Sequence, residues 1–294
     1  FEYLRHNKKE EFIMELLEHV IDEYFSHLNG KKDKYEIFFD QTVKSTAEMI
    51  AHWQAVGFAH GVMNTDNMSL LGETFDFGPF GFLESYDPNF ICNHSDVNGR
   101  YAFNNQPAMG LWNCQALAVA LNKTIKEEKL NESLKNYQHY FYDSLINLYR
   151  KKLGLEEKIK DDAELIESLL TWLLKSKKDY TNFFRNLSGI HKPETNIFDD
   201  DEGEFWMQKF KKRFKAEKIS KKEAQSKMLA TNPKYILRNY LAHQAIEKAK
   251  KNDFSEIEIL LNLLSKPFDE HPGFEKYSTS SPEWGKTLEI SCSS

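Results

Sequence analysis

His60-Gly61-Val62-Met63-Asn64-Thr65-Asp66-Asn67, followed by Asp76-Phe77-Gly78, is where this chain gathers hard oxygen donors with no evident packing task. The Asn67 carbonyl and the Asp76 carboxylate, brought together at the mouth of a hairpin, make a donor set suited to Mg2+ or Mn2+. A cation there offsets charge developing on a transferred phosphorus. Asp66 is the one carboxylate inside the first loop. The gap between Asn67 and Asp76 has room for two short strands with a turn at Leu71-Gly72-Glu73, and Gly78 is expected to supply the sharp turn beyond. His60 reads as a core histidine that holds the loop.

Around this segment, between residues 57 and 110, glycines are frequent and helical patterning lapses. A long irregular stretch inside a compact domain is usually functional. On either side the texture is helical. Phe12, Leu16, Leu17, Val20, Ile21, Tyr24 and Phe25 form one apolar stripe within a helix over residues 9–27. A second helix is predicted over 35–59. Further ones are predicted over 111–121, 130–153, 162–175, 179–187, 205–217, 221–230, 236–250 and 254–264. The acidic Phe198-Asp199-Asp200-Asp201-Glu202-Gly203 reads as a loop between helical groups, and residues 267–285, with three prolines, as an extended tail. The expected fold is therefore α+β and mostly α.

Composition narrows the function. Of 294 residues 40% are hydrophobic and 29% charged, enough for a sizeable core. The net charge of −6 argues against general nucleic-acid binding, which needs a clustered basic face. The one basic run, Lys209-Phe210-Lys211-Lys212-Arg213-Phe214-Lys215, reads as a solvated helix face. Cys92, Cys114 and Cys292 are too few for a disulfide scaffold and lack zinc-ligand spacing, so a reducing compartment is expected. No run approaches the roughly 20 apolar residues that span a bilayer, so no membrane partner is expected. The chain opens at Phe1 rather than Met, which reads as a natural start lost, and no signal peptide is evident.

The spacing of the central segment fits a known frame. Kinase-like catalytic loops carry a histidine, an aspartate base two positions on, and a metal-binding asparagine seven positions after the histidine, with a DFG aspartate beyond. His60, Asn67 and Asp76 fit that frame, whereas Val62 occupies the base position and accepts no proton. Ordinary phosphorylation of a hydroxyl is thereby disfavoured, while metal–nucleotide binding is left intact. The expected organisation is a kinase-like C-lobe over residues 1–155 and a helical extension with a C-terminal tail over 156–294.

The residues from His60 to Ala118, HGVMNTDNMSLLGETFDFGPFGFLESYDPNFICNHSDVNGRYAFNNQPAMGLWNCQALA, resemble the selenoprotein O family, also called the YdiU family. The likeness extends to Phe1-Glu2-Tyr3, to Ala51-His52-Trp53-Gln54-Ala55-Val56-Gly57-Phe58, to Asn232-Pro233-Lys234-Tyr235-Ile236-Leu237-Arg238-Asn239-Tyr240 and to Cys292-Ser293-Ser294. The resemblance implies a pseudokinase-fold protein adenylyltransferase that moves AMP from ATP, or UMP from UTP with Mn2+, to Ser, Thr or Tyr hydroxyls of protein substrates. It implies Asp66 as proton acceptor and Asn67 and Asp76 as metal ligands, with Asp76 also reaching the nucleotide through the metal. It further implies that Cys92 and Cys292 form a redox pair; Cys114, inside a predicted helix beside Trp112, reads as a small core residue. A Gly-rich phosphate loop and a strand lysine are not found in these 294 residues, so the chain resembles the family's C-terminal half, lacking the N-lobe. Cytoplasm is the expected location for a bacterial-type protein and mitochondria for a eukaryotic one. Two other functions stay open: a kinase, and a non-catalytic nucleotide- or protein-binding module.

Overall fold

The computed structural model describes residues 1–190 and 197–290. Helix α1 spans Glu2–His6, α2 Glu11–Tyr24 and α3 Lys34–Val56. The last ends where Gly57 takes φ +74°, and a Cβ at Gly57 would meet the Tyr180 ring at 2.9 Å. A left-handed C-cap beside a packed ring favours glycine alone. The helix predicted to reach residue 59 therefore stops early, and Phe58–Ala59 leave it as strand β1.

Strand β1 pairs antiparallel with β2, Gly81–Phe82, in the register Phe58↔Phe82 and Ala59↔Gly81. The hairpin expected between Asn67 and Asp76 is not formed. Residues 61–80 instead make one long loop closed at its base by this two-stranded sheet, with a single 3-10 turn at Thr65–Asn67. The rings of Phe58, Phe77, Phe80 and Phe82 pack about β1, with centroids 5.4–6.2 Å from Phe58. Aromatic packing between sequence-distant residues fixes the pairing.

Helices α4 (Gln106–Leu121) and α5 (Glu127–Lys152) follow, with α5 laid along α3. The first core lies among α2–α5 and includes Leu17, Phe38, Ile50 and Leu121, all fully buried. The second joins Ala59, Leu83, Cys92 and Phe103 to the end of α5 and to α6 (Asp162–Ser176), α7 (Tyr180–Leu187), α8 (Asp201–Phe214) and α9 (Lys221–Thr231). The third, around Tyr235, Leu241 and Leu263, belongs to α10 (Asn239–Ala249), α11 (Ser255–Ser265) and the segment through Tyr277. The last helix, α12, is Glu283–Lys286. The mostly helical α+β expectation is met.

Two local expectations are corrected. The acidic stretch at 198–203 is a helix start: the Asp200 carboxylate accepts from the Gly203 amide at 2.7 Å and from the Trp172 indole at 2.9 Å. Acidic side chains satisfy the unpaired first-turn N–H groups there. The basic run is only partly solvated, because the Arg213 guanidinium is buried. It donates to Asp162 at 2.5 Å, to Glu217 at 2.7 Å and to the Glu157 carbonyl at 2.6 Å.

Lys152 ends α5 with its ammonium buried, 4.0 Å from the Phe184 ring centroid and 5.5 Å from that of Tyr180. No carboxylate pairs with it among the described residues. Burial pushes its pKa down to about 7 from 10.5. Between those values the unfolded chain holds a proton that the folded chain lacks, so this group makes stability rise with pH from about 7 to 10.5. Below pH 7 the full cost of the buried charge is present. Lys152→Met is expected to raise the urea midpoint at pH 7 and to remove a slope of about 1.4 kcal/mol per pH unit across the window. An unchanged slope in the variant, followed by denaturation at several pH values, would show that the rise comes from another group.

Candidate functional site

The loop between β1 and β2 is held by side chains that arrive from residues 92–113. The Gln106 side chain, fully buried, donates to the Phe58 carbonyl at 2.9 Å and accepts from the His60 amide at 2.9 Å. The Cys92 thiol donates to the Ala59 carbonyl at 3.4 Å, and the Asn93 amide to the Gly61 carbonyl at 3.1 Å. Asn113 donates to the Met63 carbonyl at 3.0 Å, and the Tyr101 hydroxyl to Asn64 Oδ1 at 2.5 Å. From Phe58 to Met63 the backbone is gripped nearly residue by residue, and Asn64 is held through its side chain, so polar groups of an irregular segment find partners.

The far arm of the loop is tied to the near one. His60 Nε2 donates to the Phe75 carbonyl at 2.9 Å, and the Trp53 indole donates to the Thr74 hydroxyl at 2.7 Å. Burial holds the His60 pKa below its ordinary value, with the Phe75 carbonyl and the Asp76 charge acting in the opposite sense. The imidazole is thus a neutral donor at pH 7, fixing the residue immediately before Asp76. His60 serves as the buried loop-holding residue its sequence context suggested.

Asp66 and Asp76 are both exposed, and among the described residues neither carboxylate has a hydrogen-bond or ion-pair partner. Asp66 sits in the 3-10 turn and caps nothing. Asn67 donates its amide N–H to the Val62 carbonyl at 3.2 Å, which leaves Oδ1 as an acceptor. Asp76 takes φ +55°, and its carbonyl accepts from Gly78 N at 2.8 Å. The left-handed residue of the turn is therefore Asp76 itself, while Gly78 is outside that region and a Cβ there would meet nothing within 4 Å.

Oxygen-only donors without partners suit a hard divalent cation. No cluster of three or more His, Cys, Asp or Glu suited to a metal occurs among the described residues. Beside Asp66 lies a cavity of about 280 Å3, walled by Thr42, Thr46, Leu70, Cys114 and Leu117. Cys114 is a buried core thiol, pushed up to about 12 by that burial. Cys92 is also buried, whereas Cys292 lies outside the described residues.

Sequence reasoning missed the clamps, above all Gln106 and Asn113. Both amides lie on the same face of α4, seven residues apart in an apolar helix, which was the available signal. No helix among the described residues is long and apolar enough to cross a membrane.

The sequence model of a family described as protein adenylyltransferase SelO matches residues 1–265. A protein nucleotidyltransferase YdiU of Aliivibrio fischeri (strain MJ11) is 49% identical over 299 residues, which cover 100% of this chain and 62% of that protein. The protein of the same name from Vibrio parahaemolyticus is 46% identical over 290 residues, 95% of this chain and 59% of that protein. The Myxococcus xanthus one is 44% identical over 302 residues, again 100% and 62%. The chain thus spans about three-fifths of the length of these relatives.

Proposed function

Since the chain belongs to the protein adenylyltransferase SelO family, we propose that it carries the metal-binding and proton-accepting part of a site that transfers a nucleotide to hydroxyls of protein substrates. The observation that carries this is the pair of exposed carboxylates, Asp66 and Asp76, without hydrogen-bond or ion-pair partners among the described residues, on one loop whose backbone is clamped from Phe58 to Met63. Clamping holds reacting groups in place before substrate arrives, which is where much of catalytic power originates.

Asp66 accepts the proton of the acceptor Ser, Thr or Tyr hydroxyl as its oxygen attacks the nucleotide's α-phosphorus. The bond from that phosphorus to the bridging oxygen breaks, and pyrophosphate leaves. Asn67 Oδ1 and the Asp76 carboxylate would hold Mg2+ or Mn2+, which would supply charge neutralisation on the triphosphate. ATP is the assigned nucleotide, with UTP and Mn2+ as the variant. Val62 at the kinase base position favours this reading over phosphorylation. Phosphate-gripping groups are assigned to the share of the family protein that this chain does not span.

Residues 1–155 are assigned as a kinase-like C-lobe and 156–294 as a helical extension that shares a core with it. The bacterial relatives favour the cytoplasmic placement. A Cys92–Cys292 pair is also assigned. It is supported by the tail, whose Ile290 carbonyl accepts from His94 N at 2.7 Å, two residues from each cysteine. Oxidised glutathione would take up the two hydrogens, and a non-reducing mass map with both thiols intact after that treatment removes the pair.

The deciding experiment incubates the full-length parent with ATP and either metal. Label from α-labelled ATP on protein, with an AMP-sized mass gain, is expected. Label from γ-labelled ATP alone would make the protein a kinase, and no label with either metal would leave a binding module.

A further inference from the structure

Arg100 is exposed, and its guanidinium lies 5.1 Å from the Trp112 ring centroid and 5.5 Å from that of Tyr101. Among the described residues it has no carboxylate partner. The adjacent acid, Asp96, is occupied otherwise: its two oxygens accept from the backbone amides of Arg100 at 2.9 Å and Tyr101 at 2.7 Å. Contact over aromatic rings orients a guanidinium at little entropic cost and leaves the N–H donors at its edge, in its own plane, open to an acceptor. A planar, pre-oriented cation without an internal anion fits a carboxylate brought from outside.

Its location gives that carboxylate a context. Tyr101 and Asn113, the residues next to Arg100 and Trp112, are the two that hold Asn64 and Met63 of the loop bearing Asp66. From Trp112 a second hollow, of about 210 Å3, runs along α4 past Gln115 and Ala116 to Val119, with Glu2 and Arg5 opposite. Glu2 and Ala116 also wall the cavity beside Asp66, so the two hollows adjoin. Trp112 and Val119 are 39% and 50% exposed, apolar surfaces about two turns apart on one face of α4. The other charges on this strip are engaged, since Glu2 accepts from the Thr65 hydroxyl and Arg5 reaches Asn122 at 3.3 Å and Glu10 at 4.0 Å.

We propose that the Arg100–Trp112 platform and the Val119 hollow dock the segment of the protein substrate flanking the modified hydroxyl, with Arg100 selecting an acidic side chain beside an apolar one. The proposal rests on the nucleotide-transfer reading for what happens at Asp66, but the docking itself is a binding property of this chain. Arg100 is a specificity residue that touches substrate away from the reacting atoms.

Two fluorescein-labelled pentapeptides of tyrosine, leucine and glycine test it, one with aspartate and one with lysine beside the leucine. By anisotropy against the full chain, the aspartate peptide is expected to bind roughly 5- to 10-fold tighter, with the difference shrinking at high salt. Arg100→Glu should invert the preference, and Arg100→Lys should lose most of it because the stacked fork is gone. Equal binding of the two peptides, or a preference unchanged by Arg100→Glu, overturns the proposal. In transfer assays on the full-length protein, Arg100→Ala should raise KM for the aspartate peptide and leave KM for ATP unchanged. A change confined to KM for ATP would place Arg100 on the nucleotide and also overturn it. Absence of any label transfer counts against the transfer reading alone, and the anisotropy result then decides the docking.

Discussion

Asp76→Asn is expected to leave the chain as stable as before and to stop nucleotide transfer. The two parts of that result come from different features of one residue. Its backbone lies at φ +55°, a region that costs most residues about 1 kcal/mol or more and that asparagine tolerates nearly as well as aspartate. Its side chain makes no hydrogen bond or ion pair among the described residues, so removing the charge breaks no structural contact. Asparagine therefore isolates the chemistry, whereas alanine would add strain to the loss of a ligand. With the hard anionic donor gone, transfer should fall by roughly 10^3-fold in the full-length protein, the scale of several kcal/mol of lost charge stabilisation. His60 offers a second readout. The Asp76 charge favours its protonated form, so the variant should titrate His60 still lower in an NMR pH series. Label transfer from α-labelled ATP at more than about a tenth of the parent rate would mean that Asp76 is not a metal ligand. A shifted urea midpoint would mean that its side chain has a structural partner.

Helices such as α2 and α5 were legible because each carries a 3.6-residue apolar stripe that depends only on local sequence. Their ends were less so. That α3 stops at Val56 depends on the ring of Tyr180, over a hundred residues away, pressing against Gly57. The hairpin was misplaced for a similar reason: short apolar pieces around Leu70 and Phe75 mimic strands, but pairing is decided by where Phe58 meets Phe82. The acidic stretch at 198–203 reads as a loop from its charge and glycine, while Asp200 is bonded to the Trp172 indole across the fold.

The candidate site divides along the same line. Asp66, Asn67 and Asp76 declare themselves because oxygen donors in a glycine-rich loop have few structural uses. Gln106, Asn93, Asn113 and Tyr101 act over separations of 32 to 50 residues, and such polar contacts leave little periodic trace in sequence. Sequence favours Gly78 for the sharp turn because glycine adopts positive φ most readily, whereas the folded backbone places Asp76 there.

Gly61→Ala is the substitution expected to damage this site most while touching none of its oxygen donors. Gly61 lies at φ +84°, and a Cβ would come within 2.7 Å of both Cys92 Sγ and the Pro79 carbonyl oxygen. Cys92 could turn aside, but Pro79 O belongs to the backbone leading into β2 and cannot move without shifting the far arm of the loop. The conformational strain and the overlap together should cost roughly 3 kcal/mol or more, read as a lowered urea midpoint. Transfer should fall further than stability alone accounts for, because Asn93 holds the Gly61 carbonyl and a displaced loop carries Asp66 with it. Adding Cys92→Ala to Gly61→Ala removes one of the two overlaps and should restore part of the stability and little of the transfer. Full restoration of both would show that the thiol, not the Pro79 carbonyl, sets the geometry. A single Gly61→Ala variant within about 1 kcal/mol of the parent would show that the clamped loop is looser than its hydrogen bonds imply.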